Sequence, residues 1–209
     1  MNQTPNVTAM GAALLRAAHV VEDTPPWVLE DTVSAGLLTT AERALAAAEL
    51  DSWPSEVRAA FRLAHAVRNR LAEDVAVEGL DAGRADYVVL GAGLDSFAWR
   101  HPLAARFRVV EIDHPATPRW KRDRLRAAGL TEPADVCFVP LDLTAASLAG
   151  IELPAPATWS WLGVAMYLEP PSSRRRSARS LLRAPARRSS STSSSPTTSS
   201  TSWLVPSGQ

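Results

Sequence analysis

Four short apolar runs, separated by helical or glycine-containing segments, restrict the fold of this chain more than any other feature. Each run is rich in β-branched or other apolar residues: "ADYVVLGAG" (85–93), "RFRVVEID" (106–113), "ADVCFVPLDL" (134–143) and "ATWSWLGVAMYL" (157–168). Such runs are typical of buried strands. Residues 115–129, between the second and third runs, begin near prolines and stop at Gly129, as a helix does. Short strands alternating with helices predict a doubly wound α/β fold, with a parallel sheet covered on both faces.

The first 80 residues lack such runs and are predicted to be helical throughout. Three segments carry apolar residues at helical spacing: residues 11–22, 39–50 and 56–79. Thr40 is the expected N-cap of the second helix, and the third segment ends at a glycine, which favours a helix C-terminus. We therefore expect a helical N-terminal cap over residues 1–80 and an α/β core over residues 81–169.

Residues 170–209 show neither the apolar runs of strands nor the helical spacing of apolar residues. They consist mainly of serine, threonine, arginine and proline. Such a segment buries too little apolar surface to offset the entropy of ordering it, so we expect a disordered Ser/Arg-rich tail. Seven of the 22 basic residues lie in this tail, and residues 1–169 carry 15 basic and 22 acidic groups. An acidic body lacks the clustered cations that bind phosphates, so we expect no nucleic-acid partner.

Cys137 is the one cysteine in the sequence, which excludes an intramolecular disulfide and a cysteine-based metal site of the usual spacing. A reducing, cytoplasmic setting fits this composition. The sequence contains no apolar run of about 18 residues and no basic segment followed by an uninterrupted apolar stretch at its N-terminus. We therefore expect an unprocessed chain with no membrane partner and no metal.

Glycine follows the first predicted strand at Gly91 and Gly93, where a turn would bring the backbone close to a ligand. The dinucleotide fingerprint has a third glycine, but Ser96 stands three residues after Gly93. A G-x-G pair alone is a weak signal, and the alternative is a tight strand-to-helix turn without a ligand. The missing glycine disfavours an NAD-dependent reductase.

Acidic residues follow the next two strands. Asp113 lies 22 residues after Gly91, and Glu111 precedes it on the same predicted face. An acid at about this distance binds the ribose hydroxyls of an adenosine cofactor. Asp142 and Leu143 close the third strand, at the same edge of the sheet, where they could contact an adenine. The alternatives are that the acids only solvate a strand end or form a turn.

The motifs "VVLGAGLDSFAWR", "VVEIDHPATPRWKRDRL", "FVPLDL" and "WSWLGVAMYL", in this order, resemble the leucine carboxyl methyltransferase-like group of S-adenosyl-L-methionine-dependent methyltransferases. The resemblance runs from about Ala12 to Leu168 and includes "RAAHVVEDTPPWVLED" and "RNRLAEDVA". It implies a Rossmann-like cofactor-binding core in residues 81–169 and S-adenosyl-L-methionine as the cofactor.

Carried over by position, the resemblance assigns a part of the cofactor to each motif. Gly91 and Gly93 would pass beneath its methionine part, Asp113 would hold the ribose, and Asp142 with Leu143 would hold the adenine. Arg68 would pair with its carboxylate, although Arg70 competes for this role and an exposed helix arginine is the simpler reading. Two positions depart from the family pattern. Many relatives have arginine where this chain has Phe97, and glutamate where it has Leu162. Either change could weaken cofactor contacts.

The implied function is O-methylation of a small-molecule hydroxyl or carboxylate. The methyl sulfonium is already electrophilic, so the protein mainly aligns the acceptor oxygen and excludes water. A carboxylate needs no general base and a hydroxyl needs one. His114 is the nearest histidine, but a helix-capping role is the commoner one. Tyr167 matches a family tyrosine, although packing explains it as well. The alternative function is a non-catalytic adenosine-cofactor-binding or partner-binding module with a basic Ser/Arg-rich tail.

The tail begins where the resemblance would require a further helix and strand. Either it is a natural low-complexity segment, or the reading frame is lost near Pro170. When the codons are shifted by one position, permitted base choices turn residues 186–203 into an apolar strand followed by an acidic helix start. We favour the frameshift and expect weak or no activity from this chain, because part of the sheet and of the acceptor pocket would be replaced.

Overall fold

The computed structural model describes residues 7–144, 148 and 151–164. Five α-helices, two 3-10 turns and four strands occur in these residues. The helices are α1 (Val7–Glu22), α2 (Thr40–Asp51), α3 (Ser55–Asp81), α4 (Phe97–Arg100) and α5 (Ala116–Ala127), and the 3-10 turns are Ser34–Leu37 and Ala104–Arg106. The strands are β1 (Asp86–Leu90), β2 (Arg108–Asp113), β3 (Val136–Pro140) and β4 (Ala157–Trp161).

The four strands form one sheet in the order β3-β2-β1-β4. Every neighbouring pair is parallel, so all four carboxyl ends meet at one edge. The predicted α/β fold with a parallel sheet is therefore confirmed. The chain runs outward from β1 to β3 and then crosses back to place β4 on the other side of β1. Ligands bind in open α/β sheets at such a reversal of strand order, outside the carboxyl ends of the strands.

The two faces of the sheet are covered differently. Tyr87, Val89 and Val109 project from one face into an apolar cluster with Ala76 of α3 and Phe97 of α4. The other face carries four buried residues, and the side chains covering them belong largely to the segment after β3. These four are Val88, Leu90, Val110 and Ile112, and the covering side chains include Leu148, Ile151 and Leu153. Helices therefore pack on one face only, within the part of the chain that is described.

The N-terminal region is not helical throughout, so that prediction is wrong for residues 23–33. Pro25 and Pro26 lie in this stretch and have no backbone N–H to donate within a helix. The N-cap of α2 is Thr39 and not Thr40. The Thr39 hydroxyl accepts from the N–H of Glu42 at 3.2 Å, and the Glu42 carboxylate accepts from the N–H of Thr39 at 2.8 Å. This reciprocal capping box starts the helix one residue earlier.

A buried ionic network ties the cap to the sheet. Arg16 of α1 donates to the Asp31 carboxylate at 2.9 Å and to the carbonyl oxygen of Leu94 at 2.7 Å. The hydroxyl of Ser96 donates to the same carboxylate at 2.7 Å. Burial raises the pKa of Asp31, but the nearby arginine charges and the hydrogen bonds outweigh it and lower the pKa to about 2. The loop after β1 is thereby fixed against the N-terminal helices.

Residues 170–209, Tyr167 and the interpretation of the tail as a frameshift lie outside the described residues. The frameshift stays a prediction that the DNA sequence over codons 165–209 tests directly. A stop codon or an unrelated continuation in the shifted frame would contradict it. No helix in the described residues is long and apolar enough to cross a membrane. These residues also contain no group of three His, Cys, Asp or Glu side chains that could hold a metal ion.

Candidate functional site

A cavity of about 670 Å³ lies at the carboxyl edge of the sheet. One wall is built from the residues that follow the strands, and the facing wall comes from α1, α2 and α3. The lining includes all six residues predicted from the sequence to bind a cofactor: Arg68, Gly91, Gly93, Asp113, Asp142 and Leu143. Segments as far apart in sequence as α3 and the end of β3 are therefore brought to a single cavity.

The glycine turn after β1 has a backbone conformation that residues with a side chain adopt only with strain. Gly91 and Gly93 have φ values of 64° and 50°, in the left-handed region. A Cβ added to Gly91 would lie 2.0 Å from a methyl carbon of Val164, and one added to Gly93 would lie 3.1 Å from the Cβ of Ala9. The chain thus needs glycine here for local conformation and close packing, whether or not a ligand binds.

Asp113 closes β2 beside this turn. Its carboxylate accepts from the N–H of Gly93 at 2.6 Å and, through the other oxygen, from the hydroxyl of Thr117 at 3.1 Å. Asp113 is half-buried and lines the cavity. Glu111 lies elsewhere, because it is fully buried and accepts from the Lys121 ammonium at 2.6 Å. The two acids do not share a solvated strand end, and Asp113 alone reaches the cavity.

Asp142 and Leu143 follow β3 and form another part of the lining. The Asp142 carboxylate accepts from both the N–H and the hydroxyl of Thr144, at 2.9 and 2.6 Å. Asp142 is therefore a turn residue and a cavity residue at once. Leu143 packs against the apolar cluster on the second face of the sheet.

Arg68 and Arg70, which the sequence left in competition, have different surroundings. Arg68 is half-buried on the cavity wall, and burial together with the charge of Arg16 lowers its pKa. Its Nε is fully buried and has no hydrogen-bond partner among the described residues. Arg70 is exposed and pairs with Asp74 at 2.7 Å. A half-buried cation with an unpaired N–H attracts an anion, so Arg68 is the better placed of the two.

Two positions at which the sequence departs from the family pattern lie in different places. Phe97 is buried in the core, with ring centroids 4.9 Å from Tyr87 and 4.7 Å from His101. Leu162 lines the cavity. His114 also lines it, and its Nδ1 accepts from the N–H of Ala116, the first residue of α5, at 3.3 Å, although Pro115 is the N-cap of that helix.

Sequence reasoning missed a group of aromatic residues on the helical wall. Trp53, Phe61 and His65 line the cavity together with Leu50. Phe61 and His65 lie one turn apart on α3, and Trp53 lies just before that helix. The signal in the sequence was the spacing of four residues between Phe61 and His65, but it says nothing about which face of α3 meets the cavity.

The leucine carboxyl methyltransferase family model matches residues 9–178 of the chain. The chain belongs to the leucine carboxyl methyltransferase family. The family predicted from the four ordered motifs is thereby confirmed, and the match also includes the N-terminal helices.

Three similar proteins are named S-adenosyl-L-methionine-dependent methyltransferases. YktD of Bacillus subtilis (strain 168) is 48% identical over 73 residues, which are 34% of this chain and 24% of YktD. A protein of Mycobacterium avium (strain 104) is 29% identical over 182 residues, and one of Mycobacterium ulcerans (strain Agy99) is 30% identical over 182 residues. Both alignments cover 80% of this chain and 58% of the relative. The chain therefore spans less than two thirds of the length of each of these relatives.

Proposed function

We propose that the chain is an S-adenosyl-L-methionine-dependent O-methyltransferase that acts on a hydroxyl or carboxylate of a small molecule. Membership of the family and the names of the relatives support the reaction class. The observation that carries the proposal is that one cavity combines the glycine turn, two strand-end carboxylates and Arg68, a half-buried cation whose Nε lacks a partner in the described residues.

The residues present fit this cofactor on two structural grounds. The backbone of the left-handed turn at Gly91 and Gly93 lines the cavity at the carboxyl edge of the sheet, where open α/β folds bind ligands. Arg68 is a cation on the cavity wall, and its Nε–H has no partner in the described residues. It could therefore pair with the cofactor carboxylate. Asp113 would accept from the ribose hydroxyls, and Asp142 with Leu143 would contact the adenine.

The cofactor supplies an electrophilic methyl sulfonium when bound. The chain contributes orientation, because one anchored carboxylate and one anchored ribose fix a ligand at two points. The lining also contains the apolar side chains of Leu15, Leu50 and Leu162, which would displace water when a ligand is bound. A cytoplasmic location is part of the proposal, since a single cysteine suits a reducing compartment.

A second candidate is a non-catalytic module that binds the adenosine cofactor or a partner protein. Leu162 favours it, because it lines the cavity where many family members carry a glutamate that a cofactor could use. Such a protein would bind the cofactor weakly and transfer no methyl group.

Calorimetric titration of the full chain with S-adenosylmethionine, S-adenosylhomocysteine and NAD⁺ tests the proposal. We expect the first two to bind and NAD⁺ not to bind. Mass spectrometry of acceptor mixtures incubated with the chain and S-adenosylmethionine then distinguishes the candidates. A mass increase of one methyl group supports the methyltransferase, and binding without any transfer supports the module. Failure of both sulfur compounds to bind would overturn the methyltransferase and the cofactor-binding module, and would leave only a module that binds a partner protein.

A further inference from the structure

The helical wall of the cavity contains aromatic residues that have no part in the proposed binding of the cofactor. Trp53, Phe61 and His65 line it, and the rings of Trp53 and Phe61 meet edge to face with centroids 4.9 Å apart. The rings of Phe61 and His65 are nearly parallel, at 28° and 6.4 Å. The residues proposed to hold the cofactor are Arg68 and the residues of the sheet wall. The three rings therefore form a second subsite of the same cavity.

This subsite suits a flat apolar ligand. Phe61 is 45% exposed and Trp53 is half-buried, so both rings keep surface available towards the cavity. Aromatic side chains favour offset or edge-to-face contact with a further ring, and such pairs add to the gain from burial alone. An aromatic wall with few polar groups is the usual composition of a small-molecule site.

His65 provides the one imidazole of this wall, and its tautomer follows from the geometry. Its Nδ1 lies 2.7 Å from the carbonyl oxygen of Phe61. A carbonyl oxygen only accepts hydrogen bonds, so Nδ1 carries the proton and Nε2 carries the lone pair. No hydrogen bond of Nε2 to another described residue is present. Burial lowers the pKa of His65 to about 4, and the charges of Arg68 and Arg16 contribute. The imidazole is therefore neutral near pH 7 and can accept a hydrogen bond.

The charges around the cavity disfavour an anionic acceptor. Arg68 is the only Lys or Arg in the described lining, and the proposed function reserves it for the cofactor carboxylate. Glu49 adds a negative charge on the side of the aromatic wall. A carboxylate acceptor would lie beside this charge without a cation of its own, and an unpaired anion is costly to desolvate.

We propose that the acceptor is a neutral aromatic alcohol of the phenol class, packed against the cavity-facing surface of the Trp53 and Phe61 pair with its hydroxyl donating to Nε2 of His65. This inference rests on the proposed function. The hydroxyl oxygen forms a bond to the methyl carbon while the carbon–sulfur bond breaks and its electron pair stays on sulfur. The hydroxyl oxygen becomes strongly acidic as its bond to the methyl carbon forms, and its proton then passes to Nε2 of His65, which becomes a transient imidazolium. His65 is then the base that a hydroxyl acceptor requires.

Binding of matched probes to the full chain tests this subsite without requiring turnover. The chain is first saturated with S-adenosylhomocysteine and then titrated with 4-methylphenol, 4-methylbenzoate or cyclohexanol in a calorimeter. We expect 4-methylphenol to bind at least tenfold more tightly than either of the others. Equal or tighter binding of 4-methylbenzoate would overturn the inference, and so would equal binding of cyclohexanol. If S-adenosylhomocysteine itself does not bind, the proposed function fails and this inference fails with it.

Variants assign the contacts to individual side chains. Trp53→Leu and His65→Phe should each weaken 4-methylphenol binding about tenfold and leave S-adenosylhomocysteine affinity within twofold of the unchanged chain. Val67→Ala is the matched control, because Val67 lies on α3, is 46% exposed and is absent from the cavity lining. Unchanged 4-methylphenol affinity in the Trp53 and His65 variants would overturn the inference, as would an equal loss in the control.

The tautomer of His65 has its own spectroscopic readout. In the ¹⁵N-labelled chain at pH 7, the Nε2 signal of His65 should have the shift of an unprotonated nitrogen and move upfield when 4-methylphenol donates to it. His65→Phe identifies the signal by its loss. An imidazolium spectrum at pH 7, or a shift unaffected by saturating 4-methylphenol, would contradict the proposed role of His65.

Discussion

The two walls of the cavity are built by different means. On the sheet wall the backbone dominates: a left-handed glycine turn, strand ends and a carboxylate that holds the N–H of Gly93 at 2.6 Å. On the helical wall side chains dominate, namely Arg68, whose Nε has no partner within the described part of the chain, and the three rings around Phe61. We propose that the first wall binds the adenosine part of the cofactor and that the second binds the cofactor carboxylate and the acceptor.

The difference predicts distinct responses to substitution. Changes on the sheet wall should disturb backbone geometry and abolish binding of the adenosine cofactor. Changes on the helical wall should alter individual contacts and leave the fold intact. Gly91, Asp113, Arg68 and Asp31 provide four tests of this distinction, in decreasing order of expected effect.

The largest effect is expected for Gly91→Ala. The new Cβ would combine a left-handed φ with a 2.0 Å approach to Val164, so the turn must move. We expect S-adenosylhomocysteine affinity to fall more than 100-fold in calorimetry. Gly83→Ala is the matched control, because Gly83 has a φ of 72° and nothing within 4 Å of the added Cβ. The control should lose about 1–2 kcal/mol of stability from backbone strain and keep its affinity. Equal affinities for the two variants would contradict the sheet-wall account.

The next effect is expected for Asp113→Ala, which removes the proposed ribose contact and the hydrogen bond to the N–H of Gly93. Charged hydrogen bonds each contribute about 1.5–3 kcal/mol, so affinity for S-adenosylhomocysteine should fall about 100-fold. Asp86→Ala is the control, because Asp86 begins β1 at the opposite edge and pairs with Arg108. A loss of affinity shared by both variants would indicate general destabilisation and count against a role in binding.

The third test is Arg68→Met, a substitution on the helical wall. Loss of the proposed contact to the cofactor carboxylate should weaken S-adenosylhomocysteine binding by about 30-fold, equivalent to about 2 kcal/mol. The same change should raise the thermal midpoint of the ligand-free chain, because it replaces a half-buried guanidinium whose Nε lacks a partner in the described residues. Arg70→Met removes an exposed pair and should change neither quantity measurably. A lowered midpoint in Arg68→Met would show that the charge stabilises the fold.

The last test concerns Asp31, which joins the two walls through Arg16 and Ser96 and for which we expect an effect on stability and the smallest effect on cofactor binding. Its pKa is about 2 in the folded chain, below the ordinary aspartate value of 3.8, so it contributes stability above pH 4 and loses it between pH 4 and 2. The contribution is about 2 kcal/mol. Chemical denaturation of the unchanged chain and of Asp31→Asn should give a difference that shrinks over this range. A difference independent of pH would assign the effect to packing alone.

The sheet wall was predictable from the sequence because strand ends and glycines leave a local signal. The alternation of apolar runs located β1 to β4, and their parallel arrangement brought Gly91, Asp113 and Asp142 to one edge. The order of motifs also identified the family. Their roles towards a cofactor stay predictions that the variants above test.

The helical wall was less predictable because its geometry depends on tertiary contacts. Periodicity predicted α3 but left Arg68 and Arg70 in competition, and burial separates them. His65 lacked any spacing typical of a catalytic group, and its Nδ1 hydrogen bond to Phe61 is visible only in three dimensions. Residues 23–33 were predicted as helix although Pro25 and Pro26 are visible in the sequence and disfavour one. The buried carboxylate of Asp31 that organises this stretch leaves no mark on the sequence pattern.

The central claim is that one cavity recognises the adenosine on the sheet wall and the carboxylate at Arg68. The most direct test compares S-adenosylhomocysteine with 5′-methylthioadenosine, which lacks the amino-acid end that carries this carboxylate, on the unchanged chain and on Arg68→Met by calorimetry. We predict that the unchanged chain binds S-adenosylhomocysteine at least tenfold more tightly than 5′-methylthioadenosine, and that Arg68→Met loses most of this preference. A preference of unchanged size in Arg68→Met would contradict the account, and so would its absence in the unchanged chain.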